Sequence, residues 1–206
     1  IIEKDIVKVH KVKNNQYLFD VCQILAKQIG FKGSSNKIAN VLKLDNKTVE
    51  NYIQYLKEVK LIDTIYQYSD SLNKKLYSPK KYYFNDLGVR NSFVGFSDIG
   101  SLVENAVFLH LANKYGSKNI FYLSNSDSNE VDFAVKLEEN KVLFVESKYN
   151  NLKSAIENSL SGLFYREIYG KKIIDRIVVT DGIDGVIQKN NLEVKLISLE
   201  KFLTTV

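Results

Sequence analysis

The sequence predicts an α/β chain in two parts: a basic, largely helical first half and a second half in which strands and helices form layers. Three observations carry this reading. Apolar residues recur at helical spacing from Gln16 to Val59. From Ile120 onward, short runs of branched and aromatic residues alternate with helical patterns, as expected of a mixed sheet covered by helices. Two of those runs, on either side of Glu138, Glu139 and Asn140, hold acidic residues, and a charge inside an apolar strand is costly unless something binds it.

Composition narrows the classes. A chain of 206 residues with 45% hydrophobic content can bury a substantial core and suits one large or two small domains. There is no apolar run of about eighteen residues and no signal peptide, so neither a membrane span nor secretion is expected. The single cysteine, Cys22, lies in a helical apolar pattern. That excludes an internal disulfide and a cysteine zinc site, and a reducing cytoplasm is the expected setting. The chain starts at Ile1 and has no methionine, which reads as a fragment whose beginning has been removed. Residues 1–100 carry 16 Lys and Arg against 10 Asp and Glu, a net +6, whereas residues 101–206 carry 13 against 14, a net −1. A basic half beside a half with clustered carboxylates suggests polyanion binding next to metal chemistry.

The elements follow in order. Residues 1–13 alternate charge with Ile and Val and give no assignment. A helix from Gln16 carries Leu18, Val21, Cys22, Leu25 and Ile29 and stops at Gly30. Ser35 opens a short helix through Ile38, Ala39, Val41 and Leu42. Asp45 or Asn46 caps a longer one with Val49, Tyr52, Ile53, Leu56 and Val59 on one face. Leu61 to Tyr68 and Lys81 to Asn85 read as strands flanking a polar turn from Ser69 to Pro79.

Three helices followed by a two-stranded wing is the order of a winged helix-turn-helix, here residues 1–95. Its third helix would be the recognition helix, presenting Lys47, Glu50, Asn51, Gln54 and Lys57 to phosphates and base edges. The wing would add Lys74, Lys75, Lys80 and Lys81, with Tyr82 and Tyr83 nearby. A merely solvated face, or one packed on a protein, fits the same residues.

Gly88 to Gly100 reads as the connection between domains. Ser101 can cap a helix with Glu104 at the capping-box position, followed by Val103, Val107, Phe108 and Leu111. Glu104 is then either a cap partner or an acidic group projecting toward the strands. Ile120 to Leu123 is a strand, and a polar loop to Asn129 leads into the acidic hairpin. After Lys148 comes a helix with Leu152, Ala155, Ile156, Leu160, Leu163 and Phe164 on one face. Ile177 to Thr180 and Val194 to Ile197 are strands, and Ser198 caps a terminal helix. The two histidines, His10 and His110, have no companions at ligand spacing.

The hairpin carries the chemistry. A three-residue loop with Asn140 in the left-handed position centres it on residue 139 and sets Asp132 opposite Glu146, with Lys148 two residues on and pointing the same way. Opposed side chains sit roughly 4.5 to 5.5 Å apart at Cβ. Two carboxylates so close repel unless a proton or cation lies between them, and oxygen-ligated Mg²⁺ or Mn²⁺ is the natural partner. Phe133 with Val145 and Val135 with Leu143 face the other side, toward a core.

Glu104 on a leading helix, Asp132 on one strand, thirteen residues, then Glu146-Ser147-Lys148 on the next strand resembles the core of the PD-(D/E)XK nuclease superfamily. The resemblance implies a restriction-endonuclease-like fold, a mixed sheet flanked by helices over residues 96–206. Through LVENAVF, EVDFAV and FVESKY the whole chain further resembles the C-terminal region, a domain of unknown function, of bacterial and archaeal AAA-type P-loop ATPases. On this reading Asp132, Glu146 and the Ser147 carbonyl would hold Mg²⁺, Lys148 would orient a water and balance charge, and Glu104 would support the ion's waters. Glu130, two residues before Asp132, is a possible auxiliary ligand. No G-x-x-x-x-G-K-[ST] motif occurs, so an ATP site would belong to a missing N-terminal ATPase domain, itself the expected partner besides nucleic acid. The competing implication is an inactive nuclease-fold module that binds DNA or protein while the ATPase supplies the chemistry.

Overall fold

The computed structural model describes residues 2–12, 14–124, 130–138, 140–149, 167–168, 170–189 and 191–205. The helix expected to carry Leu152, Ala155, Ile156, Leu160, Leu163 and Phe164 lies outside the described residues, as does the loop before Glu130. The chain divides into two units, Ile1–Thr64 with Pro79–Asp98, and Ile65–Ser78 with Ile99–Val206.

The first unit begins with a π-helical turn at Ile2–Val7 and the short α1 (Lys8–His10). In α2 (Asn15–Lys27) the Asn14 side chain caps the start by accepting the Gln16 N–H at 3.0 Å, and Leu18, Val21, Cys22, Leu25 and Ala26 are buried. Burial pushes the Cys22 thiol up to about 12, so it is an inert packing group. The helix ends at Lys27 with Gln28 as its C-cap, three residues before the expected Gly30, which at φ 78° makes the left-handed turn that follows. After β1 (Lys32–Gly33), α3 (Ser35–Leu42) opens at Ser35 as expected, capped by Ser34, whose hydroxyl accepts the Lys37 N–H. Ile38 and Ala39 are buried, but Val41, three residues past Ile38, is 71% exposed. Asp45 caps α4 (Asn46–Glu58) through the Thr48 N–H at 3.2 Å, and Val49, Tyr52, Ile53 and Leu56 form its buried face. His10 stacks on Tyr55 with ring centroids 3.7 Å apart and reaches Glu58 at 3.2 Å, which joins α1 to α4.

The strands differ from the expected wing. β3 (Lys80–Phe84) lies between β1 and β2 (Ile62–Gln67), and Ser69 to Pro79 is not a plain turn but contains α5 (Leu72–Tyr77). The Ser71 hydroxyl accepts the Lys74 N–H and nucleates that helix in a run too polar to show apolar periodicity. α5 belongs to the second unit. Gly88 to Gly100 is likewise not open connection. Asp86 caps α6 (Leu87–Val94) by accepting the Val89 N–H at 2.8 Å, and the cap outweighs one glycine in the first turn. Arg90, 1% exposed, pins this helix by donating to the backbone oxygens of Ala26, Gly95 and Ser97.

The second unit is a mixed α/β layer with a large mixed sheet flanked by helices. α7 (Ile99–Tyr115) starts two residues before Ser101. Ser101 is therefore buried inside the first turn rather than capping it, and the capping-box role of Glu104 falls away. Ile65 to Gln67 of β2 run parallel to β4 (Ile120–Ser124), which is antiparallel to β5 (Glu130–Lys136), itself antiparallel to β6 (Lys141–Lys148). Parallel pairing continues to β8 (Lys171–Thr180) and β10 (Leu192–Ser198), and β9 (Gly185–Lys189) closes the order antiparallel to β10. The two-residue β7 (Glu167–Ile168) pairs with β8. α8 (Leu199–Thr205) places Phe202 5.1 Å from the His110 ring of α7. Among the described residues, no helix is long and apolar enough to cross a membrane.

Candidate functional site

The site grows from the β5–β6 hairpin. Asn140 sits at φ 60°, and the Leu137 and Lys141 N–H groups bond to the Lys141 and Glu138 carbonyls at 3.1 Å, which closes the hairpin between Leu137 and Lys141. That fixes the register: Phe133 opposes Val145 and Val135 opposes Leu143, and Phe108 of α7 packs 6.4 Å from Phe133. Strand alternation then turns Asp132 and Glu146 to the face away from Phe133. β6 lies between β5 and β8, and this central position buries its glutamate.

Asp132 is 8% exposed and Glu146 3%. One carboxylate oxygen of Asp132 accepts the Ser147 N–H at 2.9 Å, tying the acid to the opposite strand. Lys148 Nζ lies 3.5 Å from Glu146 Oε2. Burial alone would lower the pKa of Lys148; the charge of Asp132, the charge and hydrogen bond of Glu146, and the charge of Glu104 outweigh it and raise it above the ordinary lysine value. The ammonium pairs directly with Glu146, and Asp132 and Glu104 act on it through their charge.

The structure thus brings together Asp132, Glu146 and Lys148. Glu104 is half-buried on α7 and acts on the group through its charge at Lys148. Among the described residues, no three His, Cys, Asp or Glu side chains converge on one metal position. A set of Asp132, Glu146 and the Ser147 carbonyl needs only two side chains. Oxygen donors alone, on two carboxylates, fit Mg²⁺ or Mn²⁺, which take one or two carboxylates and keep several waters. Glu130 begins β5 in register with Ser124, beside a bulge between Phe121 and Leu123.

The expected nucleic-acid residues separate. Lys47, Asn51, Gln54 and Lys57 share the outer face of α4, where Gln54 bonds Glu58 at 3.2 Å and Glu50 accepts from Ser35 and Asn46. Lys74 and Lys75 are on α5 in the second unit, with Lys75 over the Tyr66 and Phe121 rings. Lys81, Tyr82 and Tyr83 are buried in β3 and cannot follow a nucleic-acid backbone, which corrects the wing expected there.

Residues 1–99 match the domain of unknown function DUF8612, and residues 99–202 match the domain of unknown function DUF4143. An uncharacterized protein of Methanocaldococcus jannaschii is 31% identical over 151 residues, 69% of this chain and 33% of that protein. An uncharacterized protein of Haemophilus influenzae is 26% identical over 204 residues, 91% of this chain and 50% of that protein. The chain spans no more than half the length of these relatives. Among solved structures, a half-complex of Thermococcus gammatolerans McrB AAA+ hexamers with bound McrC aligns with 90% of this chain and 47% of that chain, at 11% identity and a TM-score of 0.36. Agreement at that score carries no argument about fold. The match over residues 99–202 takes in the hairpin and α7, and by it the chain belongs to DUF4143, a family of domains found C-terminal to AAA ATPases.

Proposed function

We propose that the second unit is a Mg²⁺-dependent nuclease module of the PD-(D/E)XK type, carried in the C-terminal region of an AAA-type ATPase whose nucleotide site lies outside these 206 residues. The observation that carries this reading is the pair of buried, opposed carboxylates with Lys148 against them. Asp132, Glu146 and the Ser147 carbonyl would hold the ion. A bound Mg²⁺ polarises a phosphodiester and acidifies a coordinated water.

The protein's own groups do the rest. The Ser147 N–H fixes one Asp132 oxygen, so the carboxylate is oriented before any ligand arrives. Lys148 stays protonated and stabilises negative charge where phosphate oxygens gather. Glu104 tunes that charge from α7. On this reading the helices of the first unit act as a helix-turn-helix that offers Lys47, Asn51, Gln54 and Lys57 to the nucleic acid.

Incubation of labelled single- and double-stranded DNA and RNA with the protein and Mn²⁺ tests the activity. Cleavage is expected, with a loss of at least ~100-fold in Asp132→Ala and Lys148→Ala, the size typical when a positioned electrostatic group is removed. Cleavage that survives both substitutions belongs to a contaminant and removes the proposal. A specific observation favours the second reading, an inactive nuclease-type module that binds DNA or protein: Lys148 already pairs with Glu146, and among the described residues no three acidic side chains converge on one metal position. Absence of cleavage by a protein that binds Mn²⁺ decides for it.

A further inference from the structure

Two concavities of the first unit meet along the C-terminal half of α2. One, about 350 Å³, opens between α2, β1 and α3, and the other, about 540 Å³, between α2 and α6. They share Ile24 and Lys27, so together they form a groove rather than two pits. Its floor is apolar, made by Ile24, Phe31, Ile38, Val41 and Phe93. Phe31 is 58% exposed and Val41 71%. Lys27, Lys32 and Lys37 stand along it, and among the described residues no carboxylate lines either part. The two-residue β1 beside it is the edge of its sheet.

An aromatic and a branched residue left in water beside a concave apolar floor mark an interaction surface more than a ligand pocket. Charge identifies the occupant. A second copy of this chain would bring another basic first half, at net +6 over residues 1–100, against three lysines. A nucleic-acid strand would suit the lysines and could stack on Phe31, but it leaves the part-exposed Ile24 and the exposed Val41 facing a polar backbone. A protein segment that alternates acidic and apolar side chains satisfies both the rim and the floor.

We propose that this groove docks an acidic amphipathic segment of a partner protein, with Leu or Phe side chains on the floor and Asp or Glu against Lys27 and Lys37. The surface belongs to the first unit and stands apart from the metal reading, whose residues lie in the second. Fluorescence anisotropy of a labelled synthetic helix built from Glu, Leu and Phe measures it on the full chain. That peptide is expected to bind at least ~10-fold more tightly than polyglutamate of equal charge, and to lose ~10-fold or more in Val41→Asp and in Lys27→Glu, a change of about 1.4 kcal/mol. Both positions are exposed, and circular dichroism confirms that the variants fold. Polyglutamate binding equally well, affinity unchanged in Val41→Asp, or no binding at all overturns the proposal. Displacement by a single-stranded oligonucleotide at lower concentration than by unlabelled peptide also overturns it, in favour of nucleic acid.

Discussion

Lys148 sets the charge balance of the candidate site. Its pKa is raised in the folded protein although burial works against the charged form, because the charges of Asp132, Glu146 and Glu104 and the Glu146 hydrogen bond favour it. The sign of the linkage follows. A group whose folded pKa exceeds its unfolded value contributes stability that is fully present below the unfolded value, near 10.5, and is lost as pH rises through the folded one. Urea denaturation of the wild type is expected to show constant stability from this group up to about pH 10 and a decline above it. Lys148→Gln is expected to be less stable at neutral pH and to lack that alkaline decline; equal stability of the two proteins at pH 8 would contradict the ion-pair account. Asp132, Glu146 and Lys148 were legible in the sequence because strand alternation is a strict period of two. For Glu104 the sequence left two roles open, cap partner or acid facing the strands, and the start of α7 at Ile99, before Ser101, removes the first.

At the scale of elements, the β5–β6 hairpin holds the site in register, and Asn140 holds the hairpin. Its φ of 60° is unfavourable for a residue with a branched Cβ. Asn140→Gly is expected to leave stability within ~0.5 kcal/mol, and Asn140→Val to cost about 1–2 kcal/mol. Chemical denaturation checks both; a neutral Asn140→Val would show that the turn does not fix the register. This element could be read because apolar strands, loop length and a left-handed Asn agree with one another. α5 and α6 could not, because each is nucleated by one capping side chain, Ser71 or Asp86, in a segment whose polar or glycine content hides the helical period. The buried Arg90 was missed with α6. A basic residue four positions past a capping Asp is common on helix surfaces, and only the carbonyls around it show that this one is structural.

For the whole molecule, the order α2, α3, α4, then α7, β4, β5, β6, β8, β10 and α8 was legible, whereas α1, β1, α5, α6, β7 and β9 were not. Sequence reading cuts the chain once, between residues 95 and 96, and the two family matches meet at residue 99. The structure places Ile65–Ser78 with the second unit as well. Tyr66 and Gln67 pair with Phe121 and Tyr122 of β4, and Tyr68 packs edge-on against Phe121, contacts between residues more than fifty positions apart that no local pattern announces. The same non-local pairing brings β6 between β5 and β8 and buries Glu146. Everything proposed for the second unit rests on whether that buried pair takes a divalent cation. Isothermal titration of Mn²⁺ into the wild type and into Glu146→Gln and Asp132→Asn tests this most directly: one site per chain is expected, weakened ~10-fold or more in each variant. Absence of binding, or equal binding by all three proteins, would contradict the account.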